Sequence, residues 1–167
     1  MNSGFYPFTA KKSPATAVVG LFDYHYHMVT LELGFPPTAN TYYRTVRMGK
    51  LCRVILSNRG RTYKEEVARA VTEIQNCNDT RYECLPFHAS DRLSVDIKLY
   101  APTRRKYDID NRIKPLLDAL AFACVFPDDE AVDEITVKRK EIIKGGKVIV
   151  KLEKIKEQEN ENKTSVD

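Results

Sequence analysis

Two aspartates one residue apart, Asp108 and Asp110, stand in the stretch RRKYDIDNRIKPLLDAL, directly after three cations and where an apolar, helix-like run begins. Two more carboxylates, Asp128 and Asp129, follow that run. Hard divalent cations such as Mg2+ take oxygen ligands, and a site built from carboxylates and phosphate oxygens keeps positions open for water. An ion held this way stabilises charge on a scissile phosphate and lowers the pKa of an attacking water. Lys114 is placed to hold that water or the pentavalent phosphate, and Arg104, Arg105 and Lys106 to neutralise flanking phosphates. The chemistry to which these residue types point is metal-assisted phosphodiester hydrolysis. The same residues also have a structural reading: Asp is a favoured helix N-cap, and Asp128 with Asp129 can form a plain turn.

Such side chains act together only if the chain brings them together. Leu93, Val95, Ile97 and Leu99 alternate with Ser94, Asp96, Lys98 and Tyr100, the period of a half-buried strand, which delivers the chain to APTRRKYDIDN. A helix follows with Ile113, Leu116, Leu117, Leu120 and Ala121 on one face, closed by VFPDDEAVDE. A helix of about ten to fourteen residues is roughly 15–20 Å long, so Asp129 meets Asp108 and Asp110 only if the chain doubles back. Pro115 leaves two arrangements open, because proline disfavours helical geometry in the residue before it. If the helix starts at Pro115, Lys114 lies in the loop with the aspartates. If it starts earlier, Asp110, Lys114 and Asp118 share a face at i, i+4 and i+8, and Asp118 becomes a partner of Lys114. Asp118 is taken as structural.

Elsewhere, MVTLELG from Met28 alternates as a strand, FPPTAN ends it, and a loop rich in Arg and Tyr follows. LCRVILS at 51–57 reads as a second strand broken by NRG. From Arg61 onward, Tyr63, Val67, Ala70, Val71, Ile74 and Cys77 recur at helical spacing opposite Lys64, Glu65, Arg69 and Glu73. NDTRYECLPFHASD reads as a loop, while EITVKRKEII and KVIVKLEKI flank Gly145 and Gly146 in the pattern of a tight hairpin. These elements predict an α+β fold, a mixed β-sheet of about five strands packed with two main helices. The domain is expected over residues 28–155, with residues 1–27 an N-terminal extension without regular structure and 156–167 a disordered polar tail.

With 167 residues, 43% hydrophobic and 30% charged, the chain suits one globular domain and is neither collagen-like nor disordered throughout. No apolar run approaches the roughly 20 residues of a membrane-spanning helix, so no membrane partner is expected. The net charge of +4 is too mild to identify a polyanionic partner alone. Cys52, Cys77, Cys84 and Cys124 fit neither a redox pair nor a zinc ribbon, and KKSPATAVVGLF is a poor signal peptide followed by DYHYH, so a cytoplasmic protein with reduced thiols is expected. His25 and His27 form an H-x-H pair, but with His88 as the one other histidine they do not close a tetrahedral zinc site. No phosphate-binding glycine loop exists, and no Ser-His-Asp or Cys-His arrangement stands out.

The run DIDNRIKPLLDALAFACVFPDD resembles the signature of the RusA family of crossover junction endodeoxyribonucleases: D-x-D-N, then Lys, then D-A-L, then D-D. Upstream, PPTANTYYR resembles that family's Pro-Pro, Asn and Tyr-Tyr-Arg segment, and RGRTYKEEVARA the lead into its first helix. The similarity runs from about Met28 to Glu153. The resemblance implies that Asp108, Asp110 and Asp129 ligate metal, that Lys114 is the essential lysine, and that Asn111 fills the family's Asn position. It also implies a small homodimeric enzyme that requires Mg2+, with Mn2+ able to substitute, and resolves four-way DNA (Holliday) junctions in recombination and repair.

A four-way junction is approximately two-fold symmetric, and its resolution needs two symmetric cuts, which suits two identical sites in a C2 dimer. The cations Arg44, Arg47, Lys50, Arg53, Arg59 and Arg61 are expected to touch DNA backbone, alongside Arg104, Arg105, Lys106 and Asn111. Tyr107, Tyr42 and Tyr43 either stack on bases or pack internally. The competing functional reading is a non-catalytic, structure-selective DNA-binding protein that keeps the basic surface without the metal.

Overall fold

The computed structural model describes residues 28–76 and 87–155. Its elements, in chain order, are β1 (Met28–Gly34), a short α1 (Ala39–Tyr42), β2 (Tyr43–Met48), β3 (Leu51–Leu56), α2 (Asn58–Asn76), β4 (Leu93–Tyr100), α3 (Asp110–Phe122), a 3-10 turn (Asp129–Ala131), β5 (Val132–Arg139) and β6 (Lys147–Lys154). The predicted N-terminal extension, the polar tail, Cys77, Cys84, His25 and His27 lie outside the described residues.

Alternation fixes the sheet. Residues at every second position of β1, β4 and β6 are buried, and the strand order is β1-β6-β4-β5. Registry then lines the apolar side chains in rows: Val29, Leu152 and Val95; Leu31, Val150 and Ile97; Leu33, Val148 and Leu99. A one-residue slip of any of these strands would turn its apolar set to the opposite face, so the register is strongly specified. The amphipathic α2 and α3 supply the other half of the core through Tyr63, Val67, Val71 and Ile74 and through Leu116, Leu117 and Leu120.

Three features depart from the sequence expectation. The Arg- and Tyr-rich segment expected as a loop is α1 and β2, and β2 pairs with β3 as a separate two-stranded ribbon. NRG does end β3, but it also forms the first turn of α2, which therefore starts at Asn58 rather than near Arg61, and the Ser57 hydroxyl caps the helix by accepting from the Gly60 N–H at 3.0 Å. Gly60 is needed there because a Cβ would sit 2.5 Å from the Tyr42 carbonyl oxygen and 2.9 Å from Leu56 Cδ1. Finally, β5 and β6 are not hairpin partners. β5 runs parallel to β4, α3 being the crossover that a parallel pair requires, and β6 inserts on the other side of β4.

The connection between β5 and β6 therefore passes over the end of β4. The Lys140 N–H donates to Leu99 O at 2.9 Å and the Ile143 N–H to Ala101 O at 3.0 Å. Gly145 and Gly146 do adopt positive φ, and a Cβ on Gly146 would meet Pro102 Cδ at 2.7 Å. This crossing braces the start of the basic segment 102–106. No described helix is long and apolar enough to cross a membrane.

Candidate active site

α3 begins at Asp110, so Pro115 lies inside the helix, where it is buried. The missing proline N–H removes the helical donor to the Asn111 carbonyl, and the Arg112 N–H bonds the Ile109 carbonyl at 3.0 Å in a tightened first turn. Of the two arrangements left open by the sequence, the helix therefore adopts the one in which Asp110, Lys114 and Asp118 share a face.

The N-cap position is Ile109, which makes no side-chain capping bond, so neither Asp108 nor Asp110 is used as the cap. Asp108 instead accepts from Asn111 Nδ2 at 3.4 Å, and Asp110 lies in the first helical turn, where the positive end of the helix dipole favours a carboxylate. At the far end of the motif the two aspartates divide. Asp128 caps the 3-10 turn by accepting from the Glu130 N–H at 3.3 Å, whereas Asp129 faces Lys114.

The chain does double back. α3 ends in a Schellman motif, with Cys124 N–H bonded to Ala121 O at 3.0 Å and Val125 N–H to Leu120 O at 3.1 Å, and Cys124 takes the left-handed conformation at φ 57°. Val125 and Phe126 then plug into the core. Arg92 bonds Asp133 and Glu130, tying the 3-10 turn to the start of β4. The result brings Asp129 against the helix, with Lys114 Nζ 3.0 Å from Asp118 Oδ1 and 3.4 Å from Asp129 Oδ2.

These two carboxylates are not equivalent. Asp118 has a side chain 18% exposed and also accepts the Tyr43 hydroxyl, while Asp129 is 43% exposed. Asp118 is the structural partner of Lys114, and Asp129 retains oxygen free to face solvent. Burial, reinforced by the hydrogen bond to Asp118, pushes the Tyr43 phenol up to about 12, so it remains a donor. The hydrogen bond to Asp118 raises the Lys114 ammonium above its usual range.

The tyrosines named as possible base stackers are committed elsewhere. Tyr42 is fully buried and edge-on to Tyr43, with centroids 4.9 Å apart. Tyr107 is flanked by the Arg139 and Arg112 guanidinium groups at 4.9 and 5.5 Å from its ring centre and by the edge-on ring of Phe35. Arg112, which no sequence pattern marked, also donates to the Pro36 carbonyl, and burial lowers its pKa.

Arg44, Arg104, Arg105 and Lys106 are exposed, and Asn111 is half-buried. A cavity of about 500 Å³ opens beside Asp108, lined among others by Thr38, Arg59, Arg105, Lys106 and Asn111. The carboxylate and amide oxygens around it are the donor type of a hard divalent cation. Within one chain, however, no three His, Cys, Asp or Glu side chains among the described residues are grouped to hold a metal ion. The structure unites Lys114, Asp118, Asp129 and Tyr43, and separately joins Asp108 to Asn111.

Comparison with known proteins extends this picture. The family described as endodeoxyribonuclease RusA matches residues 34–153. A crossover junction endodeoxyribonuclease of Enterobacteria phage HK97 is 31% identical over 120 residues, 72% of this chain and 89% of the relative. Its counterpart in Escherichia coli O139:H28 is 30% identical over 119 residues, 71% of this chain and 88% of that protein, and the one in phage 82 is 30% identical over 118 residues, 71% and 88%. The match begins at the end of β1 and closes within β6, so it takes in most of the sheet and the helix that carries Asp110 and Lys114, and this chain belongs to the RusA endodeoxyribonuclease family.

Proposed function

We propose that this chain is a crossover junction endodeoxyribonuclease that resolves Holliday junctions by paired, symmetric phosphodiester hydrolysis in DNA recombination and repair. The observation that supports the reading is the return of Asp129 to within 3.4 Å of Lys114, although the whole length of α3 beyond Lys114 separates them along the chain. Asp108, Asp110 and Asp129 would hold a divalent ion, Mg2+ or in its place Mn2+. Their oxygens suit such an ion, and completion of its shell falls to phosphate oxygens, water or a second subunit. When bound, the ion supplies charge neutralisation at the scissile phosphate and an acidified water.

The chain's own residues do the positioning. Asp118, held by Tyr43, fixes the Lys114 ammonium so that it donates to a non-bridging phosphate oxygen. Arg104, Arg105 and Lys106 neutralise the neighbouring phosphates, Asn111 orients Asp108, and Arg44 extends the contact along the backbone. A C2 homodimer provides the two cuts that a two-fold symmetric junction requires. A DNA-acting nuclease is consistent with a cytoplasmic location.

A synthetic four-way junction tests the reading directly. Cleavage should require Mg2+ or Mn2+, stop with chelator, and vanish in Asp110→Asn while junction binding persists. Wild-type binding without product in either metal would favour the non-catalytic DNA-binding protein, and an active Asp110→Asn variant would contradict the assigned ligand set.

A further inference from the structure

The β2–β3 ribbon carries more apolar surface into solvent than a phosphate-binding arm needs. Met48 and Leu51 are cross-strand partners at its tip and are 60% and 66% exposed. The turn between them is Gly49-Lys50, and Gly49 has φ 63°, the left-handed geometry of a two-residue hairpin loop beginning with glycine. Arg47 Nε donates to the Gly49 carbonyl at 3.2 Å, so the tip is tied to its own strand. Around the apolar pair lie Arg44, Arg47, Lys50 and Arg53, and no Asp or Glu occurs from Tyr43 to Arg61.

An occupant must satisfy both features. A second copy of the ribbon would bring four cations against four, with no carboxylate on either ribbon to pair them. DNA offers a polyanionic outside and an apolar interior between base steps, and apolar side chains inserted between steps unstack and kink a duplex while nearby cations hold the phosphates. We propose that Met48 and Leu51 form a wedge that enters the DNA at the branch point and unstacks a base step there, while Arg47, Lys50 and Arg53 grip the flanking backbone. This inference rests on the reading of the chain as a junction-binding nuclease.

Geometry limits where the wedge can act. The base of the ribbon is fixed at the candidate site, because Tyr43, the first residue of β2, donates to Asp118. From Tyr43 to Met48 the strand advances five residues, about 17 Å at roughly 3.3 Å per residue. That reach equals about five base steps at 3.4 Å each. The unstacked step therefore lies within about five nucleotides of the scissile phosphate.

The experiment uses the full chain, chelator to block cleavage, and four-way junctions carrying 2-aminopurine at successive positions around the branch point. Wild type should raise the fluorescence at one or two positions near the branch. Met48→Ser/Leu51→Ser should bind with nearly unchanged affinity yet lose more than half of that rise at saturation. Arg47→Gln/Arg53→Gln should do the reverse, reducing the slope of log K against log salt by about two while keeping the fluorescence of the bound complex.

The proposal is overturned if the serine variant unstacks as wild type does, or if wild type cleaves junctions without any fluorescence change. It is also overturned if the serine substitutions reduce the sedimenting mass of the protein, which would make the tip a contact between copies. Wild type that binds no junction at all would remove the nuclease reading together with the wedge.

Discussion

The two sheets of this molecule are built from similar residues used in opposite ways. In the four-stranded sheet Leu31, Val150 and Ile97 form a row across three strands and are excluded from water. In the ribbon Met48, Leu51 and Val54 are each 60% exposed or more, on strands that pair with each other and with no other described strand. Isolated two-stranded ribbons are marginal in water, so this one depends on what holds its base. Tyr42, Leu56 and the Ser57 hydroxyl bonded to Thr41 O at 2.6 Å supply that support. Stability is concentrated in one sheet, while the other leaves its apolar area exposed to solvent.

Substitutions can sharpen or break this contrast. The largest effect is expected at the sheet centre. Ile97→Ala should cost about 2–5 kcal/mol, read as a lower urea midpoint with an unchanged slope. Gly60→Ala tests the joint between the regions. Alanine's helix propensity favours the change by about 1 kcal/mol, yet the Cβ clash with Tyr42 O lies against backbone that cannot rotate away, so a net loss of about 1–3 kcal/mol is expected, with weaker junction binding. A stabilised Gly60→Ala protein would show that the ribbon base is not held against α2.

Asp91 gives the sheet a pH signature. It is buried and bonded to Lys154 Nζ and to the His88 N–H, and the lysine in particular lowers its pKa. A carboxylate with a depressed folded pKa stabilises above its unfolded value near about 3.9 and loses that stabilisation as pH falls through the folded value. Asp91→Asn should therefore be less stable than wild type by about 1–3 kcal/mol at neutral pH, with the gap closing below about pH 4 in thermal melts. The smallest effect belongs to the ribbon: Val54→Ala should change stability by no more than about 0.5 kcal/mol, and a larger loss would mean that its exposed face packs on something.

What the sequence revealed follows the same division. β1, β4 and β6 were legible because one buried face forces alternation, as in Leu93, Val95, Ile97 and Leu99. β2 was not, because YRTVRM has no face that must be dry and therefore no period. Gly145 and Gly146 signalled a reversal of the chain, but a local turn signal cannot say that β4 lies between the two strands it joins. Around the site, the Lys114–Asp118 pair could be read from its four-residue spacing. The bond from Tyr43 to Asp118 spans 75 residues and depends on where the ribbon base settles, and no short-range pattern encodes that.

The placement of β6 has a consequence for biosynthesis. The last strand in chain order among the described residues is an interior one, bonded to β1 on one side and β4 on the other. Until Lys147 onward has left the ribosome, β1 has no described strand to pair with and β4 has only its parallel partner. Loop closure over more than a hundred residues must then be achieved in one late event. The nascent polypeptide thus emerges with unpaired strand edges exposed, and its yield in a cell should depend on chaperone protection over that interval.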